Sequence, residues 1–485
     1  MKKIAILLVA LFALWGVDTA NAQSRTSYFM EGSYFRSEFN PALAPTRGYL
    51  MIPGLSGLNL NVGTNFLSLD NFVFERDGQL VTALHQSVSA EDFLNKLPDT
   101  LTATGNMNVN LLGVGLYTKK MFWSFGANLR CDNNVAISKD LFRVVKTFGN
   151  GVYDLGSTSM SANEYVEVYA GTSFPLFDWM TVGARAKFLI GLANLSAEFD
   201  KLVLDVNENY VKAYMHGELN ASSPILSNKP LASGDDYSMS DLLCYNDTAL
   251  VKENLKSYGA AVDLGVEMRF LENHLKVSAA VTDLGFIRWS KTSHITGEVA
   301  GGAMFEGVVI GEEGLNEDLS SYFKPVDESG EFFDFSGIRP GDGNSRRLTC
   351  SLNAGVEYNM LKNKIALGVF SQTRFLTAKT AKPLSEVTAS LNLRPTSWLS
   401  ATVTHTMMVG GSNAGVFGAA INFHPALLNL YFGVDFIDSN WVRAFNDRLI
   451  IPRNAKSINL YMGAAFNFGR PKHLKGGEEK KARWK

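Results

Sequence analysis

Residues 456–468 read KSINLYMGAAFNF. In an extended chain Ile458, Leu460, Met462, Ala464, Phe466 and Phe468 share one face, while Ser457, Asn459, Tyr461, Gly463, Ala465 and Asn467 share the other, because successive strand side chains point to opposite sides. The first row is apolar and ends on an aromatic ring. The second is small or polar. After Gly469 the chain turns into a charged tail, residues 470–485. Such a strand can stand between lipid and water, provided that enough others like it close into a sheet.

The pattern recurs along the chain. Tyr258, Ala260, Val262, Leu264, Val266, Met268 and Phe270 oppose Ser257, Gly259, Ala261, Asp263, Gly265, Glu267 and Arg269, a separation that no helix produces. Val182, Ala184, Ala186 and Phe188 oppose Thr181, Gly183, Arg185 and Lys187. Leu348, Leu352, Ala354 and Val356 oppose Arg347, Ser351, Asn353 and Glu357. Val387, Ala389, Leu391 and Leu393 oppose Glu386, Thr388, Ser390, Asn392 and Arg394, and Leu428, Leu430, Phe432 and Val434 oppose Asn429, Tyr431, Gly433 and Asp435. A first strand fits residues 57–69.

Turns between these strands alternate in length. Short ones fall at 271–273, near Asn363, at 395–396 and at 424–425; long ones span 288–346, 376–383, 410–412 and 439–455. A soluble sandwich also alternates its faces, but short turns at one end and long loops at the other belong to outer-membrane barrels. The expected fold is therefore all-β: a single-chain transmembrane antiparallel β-barrel of about 14–16 strands, an even count as bacterial barrels have. The count is about 16 if residues 195–221 form wall strands, and about 14 if they extend their neighbours beyond the wall.

The N-terminus reads as an address. Lys2 and Lys3, an apolar run and Ala20-Asn21-Ala22 form a signal peptide over residues 1–22. No later run reaches the length of a transmembrane helix, which leaves a secreted soluble protein or a membrane barrel. The expected location is the bacterial outer membrane, with membrane lipid, lipopolysaccharide and the barrel-assembly machinery as partners. With 45 basic against 47 acidic residues the chain offers no case for nucleic acid. Cys131, Cys244 and Cys350 lack metal or redox spacing; a bridge between Cys131 and Cys244 is conceivable, and Cys350 reads as a small apolar side chain.

The chain thus divides into a signal peptide (1–22), an N-terminal arm or plug (23–56), the barrel (57–469) and a charged periplasmic tail (470–485). The arm has no period, and Asn40-Pro41 and Ala44-Pro45 break regular structure in it. A short helix is expected at 89–97, with Ser89 as N-cap, Asp92 in place of the usual capping-box Glu, and Phe93, Leu94 and Leu97 as its apolar face. It reads as a loop helix or as part of an internal plug. Candidate plug residues are Asn40, Pro41, Ala42, Phe93 and Leu94.

Chemistry-bearing motifs are absent. The 7 histidines are scattered without HExxH, and there is no G-x-S-x-G elbow or phosphate loop. His405 reads as a lipid-facing residue near an interface. No cofactor, metal or catalytic group is expected, and the chain does not read as an enzyme; a membrane-embedded hydrolase would need catalytic groups to converge across the lumen. The acidic stretch 306–342 reads as a solvated loop, with Ca²⁺ or lipopolysaccharide bridging as the alternative. Lumen-facing candidates carry both signs: Arg185, Lys187, Arg269, Arg347, Arg374 and Arg394, with Asp263, Glu267, Glu357, Glu386 and Asp435, and with Asn459 and Tyr461 beside them. Neither sign dominates, so no ion selectivity follows.

Four stretches carry a resemblance: Asn40-Pro41-Ala42, Ser89-Ala90-Glu91-Asp92-Phe93-Leu94, Val281-Thr282-Asp283-Leu284-Gly285-Phe286-Ile287-Arg288-Trp289 and Asn429-Leu430-Tyr431. Through them the chain resembles a Bacteroides-type outer-membrane barrel family known as a domain of unknown function. It is also similar, more loosely, to the long-chain fatty-acid transporter (FadL-like) barrels, whose Asn-Pro-Ala segment enters the barrel as a hatch. Here Leu43 stands where that family has glycine. The second resemblance implies a hatch and a hydrophobic substrate. The expected function is a transport or diffusion path for a hydrophobic or small substrate, and the alternative is a surface or secretion-accessory scaffold with partner-binding loops.

Overall fold

The computed structural model describes residues 25–53, 56–66, 68–76, 78–147, 151–156, 158–207, 210–226, 254–305, 323–325, 333–334, 339–409, 416–425, 427–437, 441–444, 449–452 and 457–469. The expected signal peptide, Cys244, most of the acidic stretch 306–342 and the tail lie outside these residues.

Alternation of apolar and polar side chains builds a closed antiparallel barrel of 14 strands. They are β1 (Leu58–Thr64), β2 (Thr100–Thr118), β3 (Met121–Ser138), β4 (Thr158–Phe177) and β5 (Met180–Val206). Next come β6 (Tyr258–Phe270), β7 (Leu275–Trp289), β8 (Cys350–Met360), β9 (Ile365–Phe375) and β10 (Leu384–Thr396). The last are β11 (Leu399–Met408), β12 (Val416–Phe423), β13 (Leu428–Ile437) and β14 (Ser457–Phe468). Each strand pairs with the next, and β14 closes the ring on β1 through Met462 to Leu58 and Leu460 to Leu60.

The stretch that suggested a barrel is therefore the closing strand. It also pairs with a lead strand, Gly48–Met51. Met51 is in register with Ala465 and Leu58 with Met462, so the chain between Met51 and Leu58 loops out of the wall. The loop turns inward: Ser56 is buried and its carbonyl accepts from the Tyr34 hydroxyl.

Phe125, Phe188, Leu264, Val356, Leu367, Val403, Ile421, Phe432 and Phe466 project outward and are exposed. They form the apolar band that a barrel presents to lipid. At the short-turn end Phe177, Trp179 and Phe270 stack in a row, and Trp398 meets Phe423 edge-on, as interfacial aromatics do. His405 lies on this outer face with its ring 4.6 Å from Phe417.

Residues 195–221 add no wall strand. Instead β5 continues past the barrel rim, where it pairs with Val211–Ser222, which in turn pairs with His294–Phe305. The helix Ala90–Asn95 forms with Ser89 as cap, its side chain accepting from the Asp92 amide, while Asp92 itself pairs with Arg76. Phe93 and Leu94 were candidate plug residues, and here the structure differs. They pack with Phe74, Val88, Leu97, Leu101 and Phe142 among the long loops. The hairpin of Val73–Arg76 with Gln79–Thr82 and the helix Asp140–Thr147 supply the apolar partners that the lumen would otherwise have had to provide.

Candidate functional site: a lumen closed at two levels

Residues of the N-terminal segment sit inside the barrel, in two 3-10 turns, Arg25–Phe29 and Tyr34–Glu38. Its aromatic side chains make an internal core: Tyr28, Phe29, Phe35 and Phe39 pack with Phe370, Tyr431 and Tyr461 of the wall. The wall makes room with glycine. A Cβ at Gly183 would collide with the backbone of Pro41 and Ala42, and one at Gly355 or Gly368 with Tyr28 or Phe29. Here glycine serves close approach rather than backbone freedom.

Polar contacts fix the segment at both ends. The Arg25 guanidinium grips both carboxylate oxygens of Glu386, Nε to Oε2 being 2.7 Å. Thr26 donates to Asp435 and lies 2.6 Å from the Thr404 hydroxyl. Lower down Glu31 pairs with Lys276 and accepts from Asn363 at 3.0 Å, while Arg394 lies 3.6 Å from Glu31 and 2.9 Å from Glu357. Glu38 accepts from Asn108 at 2.7 Å and Asn110 at 3.0 Å. Burial raises its carboxyl above the ordinary glutamate range, against the pull of the Asn110 bond and of Arg130 and Arg185. Asn40 donates to the Val266 carbonyl at 3.1 Å, and its own oxygen accepts from the Ala42 amide, holding the Asn40-Pro41-Ala42 turn against β4–β6.

Beside the segment lies a charge network built by a break in the pleat. Asp283 has φ 59°, the left-handed region that aspartate tolerates better than most residues. The register of β6 with β7 shifts opposite it, between Val262 and Leu264. Thr282 and Asp283 therefore both point inward, and beyond them Ile287 and Trp289 are inside while Leu284 and Phe286 are outside. The Lys187 ammonium lies 2.6 Å from Asp283, 2.9 Å from Asp263 and 3.5 Å from Glu167. Arg130 lies 3.2 Å from Asp283 and 3.6 Å from Glu167, and Arg185 3.8 Å from Asp263. All six are inside and nearly sealed from solvent, three of each sign, so pairing offsets the cost of burying them.

A second closure lies at the loop end. The connection between β9 and β10 crosses the mouth and docks on the far wall. The Ala378 amide donates to Asn134 at 2.7 Å, Thr377 donates to Ser161 at 3.0 Å, and Thr380 meets Ser159 through its amide and hydroxyl at 3.1 and 2.6 Å. Lys379 pairs with Glu198 at 2.5 Å. Beside this lid a cavity of about 670 Å³ is lined by Glu198, Asp200, His216, Glu218 and Glu298. Over the plug is a smaller chamber of about 30 Å³, bounded by Phe35 and Phe39 below and by Asn59, Asn61, Asn108 and Asp132 on the wall.

The structure places the predicted residues as follows. Arg185, Lys187 and Asp263 belong to the charge network; Glu357, Glu386, Arg394 and Asp435 hold the plug or its partners; Arg374, Asn459 and Tyr461 are buried inside. Glu267 is buried beside Arg269, whose side chain is one-third exposed. Arg347 is a correction. It is registered with outward Phe286, and it donates to the Phe375 and Leu376 carbonyls at the rim. Leu348 and Thr349 are both buried, so the faces exchange there, and Leu348 joins Trp289 inside rather than the lipid-facing row. Pattern reading passed over Arg25, Glu31, Arg130, Glu167 and Asp283. The first two lie in a segment without period, and Asp283 would face lipid in an unbroken pleat. Among the described residues no group of three or more His, Cys, Asp or Glu is placed to hold a metal ion.

A profile described as a family of unknown function (DUF5723) matches residues 41–435. No curated protein sequence matches the chain. Among solved structures, the P. putida toluene transporter TodX is similar at a TM-score of 0.39 and 11% identity, over 88% of this chain and 92% of that one. A Pseudomonas aeruginosa FadL homologue gives 0.34 at 12% identity, over 93% and 98%. The translocator domain of the autotransporter NalP from Neisseria meningitidis gives 0.31 at 7%, over 92% and 97%.

Proposed function

The chain belongs to the family of unknown function DUF5723, and for it we propose a gated path by which a small solute crosses the bacterial outer membrane. One observation carries the reading. The described residues 25–47 lie inside the barrel without pairing to any wall strand. The plug can therefore leave without breaking a ladder hydrogen bond, and the barrel is closed by its own strands whether or not the plug is seated. Membrane lipid and lipopolysaccharide cover the outer band, and the barrel-assembly machinery would receive the closing strand β14.

The test is conductance in planar bilayers. The full chain should give little current, and a chain lacking residues 25–45 should give stable steps. Absence of current from both contradicts an aqueous path. A second reading, a partner-binding scaffold, draws on the sheet of β5, Val211–Ser222 and His294–Phe305 above the rim. Stoichiometric copurification of a protein that is lost when this extension is removed would favour it.

A further inference from the structure

We infer that the outer wall at β6–β8 carries a binding site for a phosphorylated glycolipid of the outer leaflet, with Arg288 and Arg347 as its phosphate ligands. The inference rests on the outer-membrane placement proposed above, with the long loops outward, and not on whether the barrel conducts.

Two separate breaks in the pleat bring these cations to one place. Up to Val281 the odd-numbered residues of β7 face outward. In an unbroken pleat Ile287 and Trp289 would follow them toward lipid, and Arg288 would point into the lumen. The left-handed Asp283 reverses the parity, so Leu284, Phe286 and Arg288 rise along the outer face, and all three are exposed. In the chain leading into β8, the exchange at Leu348 and Thr349 does the same for Arg347, which is also exposed. Arg347 is registered with Phe286, and Ser345 with Arg288. The two arginines are therefore diagonal neighbours, with α-carbons roughly 7–8 Å apart. A third cation, Lys256, is exposed two residues before Tyr258 at the start of β6.

The wall offers the arginines no anion. Arg288 meets no carboxylate among the described residues, and Arg347 donates to the Phe375 and Leu376 carbonyls, which leave its charge uncompensated. Below them the surface is apolar. Tyr258 faces Arg288 across the strand pair and stacks on Phe188 with ring centroids 5.6 Å apart, and Leu284 and Phe286 continue into the lipid band. Arginine is costly in the middle of such a band and tolerated at the headgroups. These two stand at the loop end of their strands, above the rings. A ligand that fits both surfaces has acyl chains for the apolar side chains and phosphate for the guanidinium forks, which match its oxygens.

Spacing selects the lipid. Lys256 leads into β6, Arg288 is on β7, and Arg347 leans toward β9, a spread of about 14 Å at about 4.8 Å per strand. One phosphate cannot bridge it, whereas a disaccharide headgroup with a phosphate at each end can. The occupant is therefore of the lipid A type rather than a phospholipid.

Native mass spectrometry of the full chain in detergent reads binding, with bisphosphoryl lipid A and phosphatidylglycerol as probes. Lipid A should bind at least about tenfold more tightly than phosphatidylglycerol. Arg288→Gln/Arg347→Gln should lower its affinity at least about tenfold, and Arg288→Lys/Arg347→Lys should lower it less. These positions are exposed, and heat-modifiable electrophoretic mobility verifies that each variant is folded. Lys119→Gln/Lys120→Gln, at the short-turn end, should leave the affinity unchanged. Equal affinity for the two lipids, no loss in the glutamine variant, or an equal loss in the Lys119/Lys120 variant overturns the site. A chain that does not float with vesicles in a density gradient removes the membrane placement, and the inference with it.

Discussion

The plug and the lid both close the lumen, and they do so with different chemistry. The plug is held by ion pairs out of water: the Arg25 and Glu386 side chains are 1% and 5% exposed. The lid is held by neutral hydrogen bonds of Thr377, Ala378 and Thr380, together with exposed ion pairs of Lys379 with Glu198 and Lys382 with Asp99. Buried pairs are costly to separate, because each charge is left alone in a poor solvent. Parting neutral bonds, even the buried ones to Asn134, Ser159 and Ser161, strands no charge and so costs less. The lid should therefore open often and the plug seldom, so that the plug sets the rate.

The largest expected effect follows from breaking the plug's strongest tie. Arg25→Ala leaves Glu386 buried without its cation, and should weaken plug seating by about 3–5 kcal/mol. Open probability in planar bilayers should rise steeply, and a partial return is expected when Glu386→Gln is added. The lid should respond less. Ser159→Ala removes both bonds to Thr380, worth about 1–2 kcal/mol together. It should speed labelling of a chamber cysteine from outside while leaving conductance closed.

The smallest effect is a pH dependence. Burial lifts the Glu38 carboxyl, so its protonated form is favoured when the plug is seated. That contribution is present below the ordinary glutamate value and is lost as pH rises through the raised one. Plug seating should be tighter in mild acid than at neutral pH, and Glu38→Gln should flatten the difference. An unchanged pH response in that variant would remove Glu38 from the account.

Much of the wall was legible because a pleat has period two. In β8–β11 inner and outer residues alternate without a break, and a reader of the sequence needs only parity. The site was less legible, for two physical reasons. At Asp283 a left-handed residue shifts the parity, and at Leu348 and Thr349 the neighbouring chain shifts with it. Unbroken parity therefore puts Arg347 on the wrong face. The plug's partners are far away in sequence, 361 residues for Arg25 and Glu386, so no local pattern announces them. The Ser89 cap shows the converse: the helix was readable from its first turn, but nothing local said that Phe93 would pack among loops rather than in the lumen.

The central claim is that the Arg25 segment closes the lumen and moves to open it. Its most direct test is the conductance of an Arg25→Ala chain that also carries Thr26→Cys and Thr404→Cys, with the native cysteines replaced by serine. The hydroxyls of Thr26 and Thr404 are 2.6 Å apart, so the introduced thiols can bridge plug to wall. The account predicts current under reductant and its loss on oxidation. Current that is indifferent to the redox state of that pair would contradict it.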